Sequence, residues 1–220
     1  MRLEDNISDY PGRGLIHMVD TAGVSTRVYF ITGRSNASKA RRVRADPDGL
    51  VVAPTEQSAD SDALRHYACA RWANDILVVG NGDHVDVIAH GLKQGQSLEQ
   101  ITALIDPEPD PPIWTPRIAL VMGSKVHFIS VSRSDDEIAR RIRETPREPG
   151  VASVLTTYSG TAIEPTGNAP FAVAPELRSP HTMCEDLFYA HLNEQHRVLL
   201  VAGSTTPVSA PRVEWLFVLS

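Results

Sequence analysis

The sequence has few of the residues that build covalent or metal-held scaffolds. It contains only two cysteines in 220 residues, Cys69 and Cys184, and no Cys-x-x-Cys pair. We therefore predict neither a disulfide framework nor a zinc cluster, and we expect a reducing compartment. No apolar run approaches 18 residues, and the first residues lack a basic then apolar pattern, which argues against a membrane span or a secretory signal. These absences predict a cytoplasmic protein with no membrane partner.

Lysine is also scarce, with only three of the 21 basic residues being Lys. The formal net charge is -6. A nucleic-acid binder needs a basic surface that neutralises phosphates, so we expect no nucleic-acid partner. The chain has no G-x-x-x-x-G-K-[ST], G-x-G-x-x-G, H-E-x-x-H or G-x-S-x-G motif. The well-marked nucleotide, zinc and serine-hydrolase sites are therefore not indicated.

The most informative stretch is 75–86, which reads DILVVGNGDHVD. Its apolar run Ile76–Val79 is typical of a strand buried on both faces, so the polar residues that follow should lie at a sheet end and form a candidate site. His84 is the side chain there that exchanges a proton near neutral pH at its ordinary pKa. Two alternatives remain. Asp83 and Asp86 could serve as a turn former and a helix cap. The polar residues could also bind a metal, although their spacing lacks the further ligands of a defined metal site.

Three arginines lie at the ends of other predicted strands. Arg13 is flanked by two glycines, Arg34 follows the predicted strand Thr26–Thr32, and Arg117 precedes the predicted strand Ile118–Met122. Arginine together with a serine hydroxyl, as in Arg34-Ser35, binds phosphate or carboxylate. The alternative for the run after Arg34 is a solvated basic loop.

The pattern of elements predicts one α+β domain over residues 1–220. Many short strands joined by hairpins, with few helices, indicate layered antiparallel sheets. We also predict an amphipathic helix over Glu185–Leu192 and another helix over Ser134–Arg143 with a solvated arginine face. The segment Asp106–Pro112 should be an exposed connector and Gly160–Pro175 an irregular Pro-rich loop.

Several motifs in order resemble the single-domain IMP cyclohydrolase family, the type unrelated to the bifunctional transformylase/cyclohydrolase. They are YPGRG at 10–14, YFITGRSNASKARR at 29–42, Tyr67 with Cys69, NGDHVD at 81–86 and TPRIALV at 115–121. The likeness covers residues 10–122 well and the remainder loosely. Ala68, where some members have Asn, and the Pro-rich loop depart from the pattern and put the exact base of the substrate in question.

The resemblance implies a four-layer αββα sandwich of two antiparallel sheets, like the N-terminal-nucleophile hydrolases. It implies that 5-formamidoimidazole-4-carboxamide ribonucleotide (FAICAR) is closed to IMP with loss of water, with no metal and no cofactor. Holding the carboxamide near the formyl carbon should dominate catalysis, aided by a general acid and by donors to the formyl oxygen. We also expect a homo-oligomer whose partner is a small-molecule ribonucleotide.

The resemblance and the motifs together assign two sets of site residues. The expected catalytic residues are Asp83, His84, Tyr67 and Asn81. The expected substrate-binding residues are Arg13, Arg34, Ser35, Asn36, Asp86 and Arg117. Two alternatives remain open: a paralogue that closes or hydrolyses a related nucleotide analogue in a nucleoside natural product pathway, and a non-catalytic nucleotide-binding protein.

Overall fold

Two antiparallel sheets dominate the computed structural model, which describes residues 2–55, 66–134, 137–205 and 214–219. Among these residues the first sheet has six strands, in the spatial order β13 (Phe171–Pro175), β10 (Val151–Thr156), β1 (Arg13–Val19), β2 (Ser25–Thr32), β14 (Arg197–Thr205) and β15 (Glu214–Leu219). The second sheet follows chain order through β3 (Arg41–Asp46), β4 (Gly49–Pro54), β5 (Tyr67–Ala73), β6 (Ile76–Gly80), β7 (Arg117–Met122), β8 (Val126–Ser134) and β9 (Glu137–Thr145).

The helical elements are short, and those from α2 onward pack on the outer faces of the sheets. They are a 3-10 turn at Glu4–Asn6, α1 (Asn36–Lys39), α2 (His84–Lys93), α3 (Leu98–Thr102), α4 (Pro180–Glu185) and a π-helix over Asp186–His191. A small ribbon pairs β11 (Ser159–Gly160) with β12 (Pro165–Thr166).

Apolar side chains alternate between the two faces of each sheet, as strand geometry requires. In β1, Leu15 belongs to the core between the sheets, and Ile16 belongs to the core under α4 and the π-helix. A third core packs Val78 of β6 against Ile88 of α2. The layers therefore run helices, sheet, sheet, helices, and the predicted α+β sandwich of two antiparallel sheets is confirmed. The likeness to N-terminal-nucleophile hydrolases stays a prediction.

Two local predictions were wrong, and both concern edge strands. The helix predicted over Ser134–Arg143 is largely β9, which pairs with β8 at the edge of the second sheet. Its exposed charged side chains are typical of a protected edge, and this polar pattern hid the strand. The loop predicted over Gly160–Pro175 contains β12 and the edge strand β13, whose Pro175 is tolerated because the strand has a free side.

The helix predicted over Glu185–Leu192 lies where α4 passes into the π-helix. Leu187, Phe188 and Leu192 are buried there, as expected.

Candidate active site

Polar side chains from both sheets gather at one end of the sandwich. Neighbouring strands are antiparallel, so the starts of alternate strands meet at the same sheet end. Arg13, Arg41, Tyr67 and Arg117 are the first residues of β1, β3, β5 and β7. The polar stretch after β6 lies at this end too, because β6 pairs with β7 so that Gly80 is opposite Ala119. The predicted location of that stretch at a sheet end is confirmed.

The centre of this end is a buried cluster of five residues, Arg13, Tyr29, Arg41, Tyr67 and Glu108. Arg41, Tyr67 and Glu108 are 7%, 5% and 4% exposed, Tyr29 is fully buried, and Arg13 is partly buried. The hydroxyl oxygens of Tyr29 and Tyr67 are hydrogen-bonded at 2.7 Å. The buried cluster thus joins residues of both sheets.

Glu108 is the protonatable carboxyl of the buried cluster. Burial raises its pKa from 4.5 to about 7, and the neighbouring Asp110 acts in the same direction. Arg13, Arg117 and Arg41 oppose this rise because their charges favour the carboxylate. Glu108 is therefore present as both acid and carboxylate near neutral pH, which is the condition that proton transfer at that pH requires.

The two arginines of the buried cluster have unused donors. Within the described residues, Nε of Arg13 and both Nε and Nη1 of Arg41 are buried without a hydrogen-bond partner. Burial lowers the pKa of Arg41, and the charge of Arg13 adds to that effect. Buried donors without partners are rare in native proteins and call for an explanation. A ligand with anionic or strongly accepting oxygens would supply the missing acceptors.

Burial also raises the pKa of Tyr67, although the two guanidiniums and the bond to Tyr29 oppose the rise. Tyr67 therefore keeps its proton near neutral pH. When the Tyr29 hydroxyl donates to the Tyr67 oxygen, the Tyr67 hydroxyl keeps its own proton for a ligand.

The segment that carries Glu108 is only in part the exposed connector that its composition predicts, since Asp106, Pro109, Pro111 and Pro112 are exposed. Pro107 and Glu108 are buried, because the segment folds back on itself. The Glu108 backbone N–H donates to the Thr115 carbonyl at 3.1 Å, and the Thr115 N–H donates to Oδ1 of Asp110 at 2.7 Å. These bonds turn the Glu108 side chain into the sandwich.

Tyr158, just after β10, ties this segment to the first sheet. Oγ1 of Thr115 lies 2.5 Å from both Oδ2 of Asp110 and the Tyr158 hydroxyl. The Tyr158 ring stacks on Tyr10 with centroids 5.8 Å apart. The wall around Glu108 is therefore built from both sheets.

Arg117 connects the buried cluster with the polar stretch after β6. Its side chain is 12% exposed, and the guanidinium pairs through Nη1 with Oδ1 of Asp83. The same Nη1 lies 3.2 Å from Nδ1 of His84. Burial lowers the pKa of His84 to about 4, with a further contribution from Arg117. The ring is therefore neutral at pH 7, and the part of His84 in proton transfer stays a prediction.

Asn81 and Asp86 are engaged in local structure. The fully buried Asn81 donates from Nδ2 to the Pro116 carbonyl at 3.0 Å, and its Oδ1 accepts from the Ile118 N–H at 2.7 Å. Asp86 lies in the first turn of α2 and accepts from Nε of Arg71 at 2.8 Å. Both side chains thus fasten the elements that carry the site, and their contact with substrate stays a prediction.

Arg34, Ser35 and Asn36 form an exposed rim beside the buried cluster. The Arg34 guanidinium lies over the Tyr10 ring, 5.4 Å from its centroid, and Nη1 donates to the Ala162 carbonyl at 2.8 Å. Ser35 caps the short helix α1. The predicted basic loop is therefore partly ordered, and its role in binding stays a prediction.

A groove of about 330 Å³ opens next to Arg117. Val87, Leu104 and Pro109 contribute apolar surface, and Asp83 and Arg117 contribute charge. Apolar lining with a few charged groups is typical of small-molecule sites.

Four residues at this site were not predicted from the sequence: Arg41, Glu108, Tyr29 and Tyr158. Arg41 lay in a run interpreted as a solvated loop, and Glu108 lay in an acidic, Pro-rich segment. The available signal for Arg41 was its position at the start of a strand, the same position that marks Arg117. No local signal distinguishes Glu108 from its acidic neighbours.

The described residues contain no group of three or more His, Cys, Asp or Glu side chains arranged to hold a metal ion. In the same part of the chain, every helix is too short or too polar to cross a membrane.

The fold and the buried cluster together define a class of protein. It is a layered α+β protein with a buried, arginine-rich cluster that contains a carboxyl of raised pKa, an arrangement typical of sites that act on small molecules.

Comparison with known proteins narrows this class to a family. The family model described as IMP cyclohydrolase-like protein matches residues 10–206. The IMP cyclohydrolase of Haloquadratum walsbyi is 29% identical over 187 residues, covering 83% of this chain and 86% of that protein. The IMP cyclohydrolase of Natronomonas pharaonis is 33% identical over 178 residues, covering 76% and 84%. The chain belongs to the IMP cyclohydrolase-like family, as its motifs predicted.

Proposed function

We propose that this protein is an IMP cyclohydrolase, which closes FAICAR to IMP with loss of water. The observation that carries the proposal is Glu108, a buried carboxyl with a pKa of about 7 among three arginines, in a chain of this family. The relatives named above bear the name IMP cyclohydrolase. They give no support to the paralogue or to the non-catalytic binding protein.

The reaction moves protons within the substrate and consumes none. The carboxamide nitrogen attacks the formyl carbon and loses one proton. The formyl oxygen becomes a hydroxyl group and leaves as water, and the second proton of that water comes from the former formamide nitrogen. The protein therefore needs a group that takes a proton from nitrogen and returns it to oxygen. It also needs donors for the negative charge on the formyl oxygen.

Glu108 suits the first task. As a carboxylate it accepts the proton of the attacking nitrogen, and as an acid it protonates the departing hydroxyl. A pKa near the working pH makes both directions accessible. The carboxyl is buried beside Arg13 and Arg41, so the proton has few competing acceptors.

Tyr67, Arg13 and Arg41 suit the second task. The Tyr67 hydroxyl donates to the formyl oxygen, and the two guanidiniums balance the charge that develops there. Preformed donors in a site that excludes water stabilise such charge strongly, because they need no reorganisation. Positioning of the two reacting groups supplies a further 7–11 kcal/mol, roughly.

Arg117 and the exposed rim suit the parts of the substrate that do not react. We propose that Arg117 contacts the heterocycle or its carboxamide, and that Arg34, Ser35 and Asn36 contact the 5′-phosphate. Asp83, Asn81 and Asp86 hold the surrounding elements. A homo-oligomer in the cytoplasm, without cofactor, completes the proposal, and gel filtration tests the oligomeric state.

The test is turnover of FAICAR by the purified protein, followed by absorbance, together with calorimetric binding of IMP and inosine. We expect FAICAR to be closed and IMP to bind much more tightly than inosine, since inosine leaves charge-assisted bonds to arginine unmade. If inosine binds as tightly as IMP, the arginines are not a phosphate site. If IMP binds but FAICAR is not closed, the non-catalytic alternative replaces this proposal.

A further inference from the structure

The surroundings of His84 fix which of its ring nitrogens carries the proton. The side chain is 3% exposed, and Nε2 lies 2.9 Å from the Ile118 carbonyl oxygen. A carbonyl only accepts, so Nε2 bears the hydrogen. On the other side, Nη1 of Arg117 lies 3.2 Å from Nδ1, and a guanidinium only donates. Both contacts are satisfied at once only by the neutral ring with its proton on Nε2.

Gly82 shows how closely three functional groups approach one another here. A Cβ atom at Gly82 would lie 2.7 Å from Nη1 of Arg117, 3.2 Å from Nδ1 of His84 and 3.3 Å from Oε1 of Glu108. The absence of a side chain therefore lets the guanidinium, the imidazole and the carboxyl all approach the same point beside Gly82. The position of Arg117 is thus directly relevant to Glu108.

We propose that His84 is a positioning residue that acts through Arg117, holding the guanidinium at Gly82 beside Glu108. This inference rests on the proposed function in one respect, that Arg117 contacts the substrate. The other partner of Arg117, Asp83, has a side chain that is 66% exposed, and an ion pair whose carboxylate stays in water fixes a long side chain poorly. His84 is instead anchored by Ile118.

Asp83 already offsets part of the charge of Arg117, and a neutral acceptor adds no further opposing charge. A carboxylate in the place of His84 would put a second negative charge beside the guanidinium and weaken its effect on Glu108 and on a bound substrate. The imidazole directs the guanidinium through a hydrogen bond and adds no opposing charge. Charged donors make hydrogen bonds roughly twice as strong as neutral ones, so one such bond suffices to select an orientation.

Two substitutions at His84 separate its two contacts. In His84→Asn the amide oxygen takes the place of Nδ1 and still accepts from Arg117, while the Ile118 carbonyl keeps the Asn81 N–H as a donor at 3.3 Å. In His84→Gln the amide N–H takes the place of Nε2 and donates to Ile118, and the acceptor for Arg117 is lost. Loss of a bond to a charged group predicts a fall in kcat/KM on the order of 10–100-fold for His84→Gln. The fall in kcat/KM for His84→Asn should be about tenfold smaller than that for His84→Gln.

A double-mutant cycle with Arg117→Met tests the route of the effect. If His84 acts through Arg117, His84→Gln should lower kcat/KM for FAICAR by less than about threefold in the Arg117→Met background. The IMP dissociation constant should follow the same pattern. Equal losses from His84→Gln in both backgrounds, or equal losses from His84→Gln and His84→Asn, would overturn the proposal.

A spectroscopic readout judges the proposal even if a variant fails to fold or the wild type does not close FAICAR. Nitrogen-15 NMR of the ligand-free wild type should show the Nε2–H tautomer of His84 from pH 6 to 8. The Nδ1 signal should change in Arg117→Met, because its donor is gone. A proton on Nδ1 in the wild type would refute the positioning role independently of the proposed reaction, which the turnover of wild-type protein tests separately.

Discussion

Replacing Glu108 by Gln should make the ligand-free protein more stable above pH 7 and nearly inactive. The pKa of Glu108 is raised from 4.5 to about 7, and the unfolded chain restores the ordinary value. The folded state therefore binds more protons than the unfolded state between these two values, so stability falls as pH rises through this window. A pKa shift of one unit corresponds to about 1.4 kcal/mol, so ionisation of Glu108 lowers the free energy of unfolding by about 3 kcal/mol.

The measurement is urea unfolding of wild type and Glu108→Gln at pH 5 and pH 8. Gln resembles the neutral carboxyl in shape and has no charge to bury, so its stability should lack this pH dependence. The free energy of unfolding of the variant relative to that of the wild type should therefore be about 2–3 kcal/mol higher at pH 8 than at pH 5. Its kcat for FAICAR should fall by about 10²–10⁴ because the proton shuttle is lost.

Glu148→Gln is the matched control, because Glu148 is exposed and should change neither quantity. If Glu108→Gln destabilises the protein equally at both pH values, Glu108 is ionised in the folded state and held by the arginines. If the variant keeps wild-type kcat, Glu108 is a structural carboxyl and the proposed shuttle is wrong.

The other predictions address the partners of Glu108 and the rim. Tyr67→Phe and Tyr29→Phe remove the same hydrogen bond and should each cost about 1–3 kcal/mol of stability. Only Tyr67→Phe should also lower kcat by about 10²-fold; equal kcat values would remove Tyr67 from the reaction. Arg41→Met should keep or raise the urea midpoint, because it removes a buried cation whose donors have no partners. The same variant should bind IMP more weakly, and an unchanged IMP affinity would contradict an anion site at Arg41. Arg34→Lys should raise KM about tenfold, because Lys lacks the planar guanidinium that makes two parallel hydrogen bonds. Wild-type kinetics in this variant would show that Arg34 belongs to a solvated loop and does not bind substrate. Turnover should survive dialysis against a strong chelator, and loss that one metal restores would disprove the metal-free mechanism.

The sequence predicts the strands and the sheet end that bears the site, because period-two alternation and strand-end position are local signals. Arg13 and Arg117 were found in this way and Tyr67 through the family resemblance, and the structure brings all three together. Arg41 and Glu108 were missed because their surroundings in sequence are charged or Pro-rich. Their burial arises only from contacts across the two sheets and from a segment that folds back, neither of which has a sequence period. The edge strand β9 was mistaken for a helix for a related reason, since exposed edges carry little apolar pattern.

The features that lower the stability of the ligand-free protein are the ones that suit the proposed substrate. Arg41 keeps buried donors without partners among the described residues, and Glu108 is held away from its ordinary pKa. A packed core would gain stability by replacing both with apolar groups. In the proposed reaction the substrate would supply oxygens for those donors and a nitrogen proton for that carboxyl. Because these groups lack partners before binding, they would interact more favourably with the bound substrate and most favourably with its transition state, which is the difference that lowers the reaction barrier.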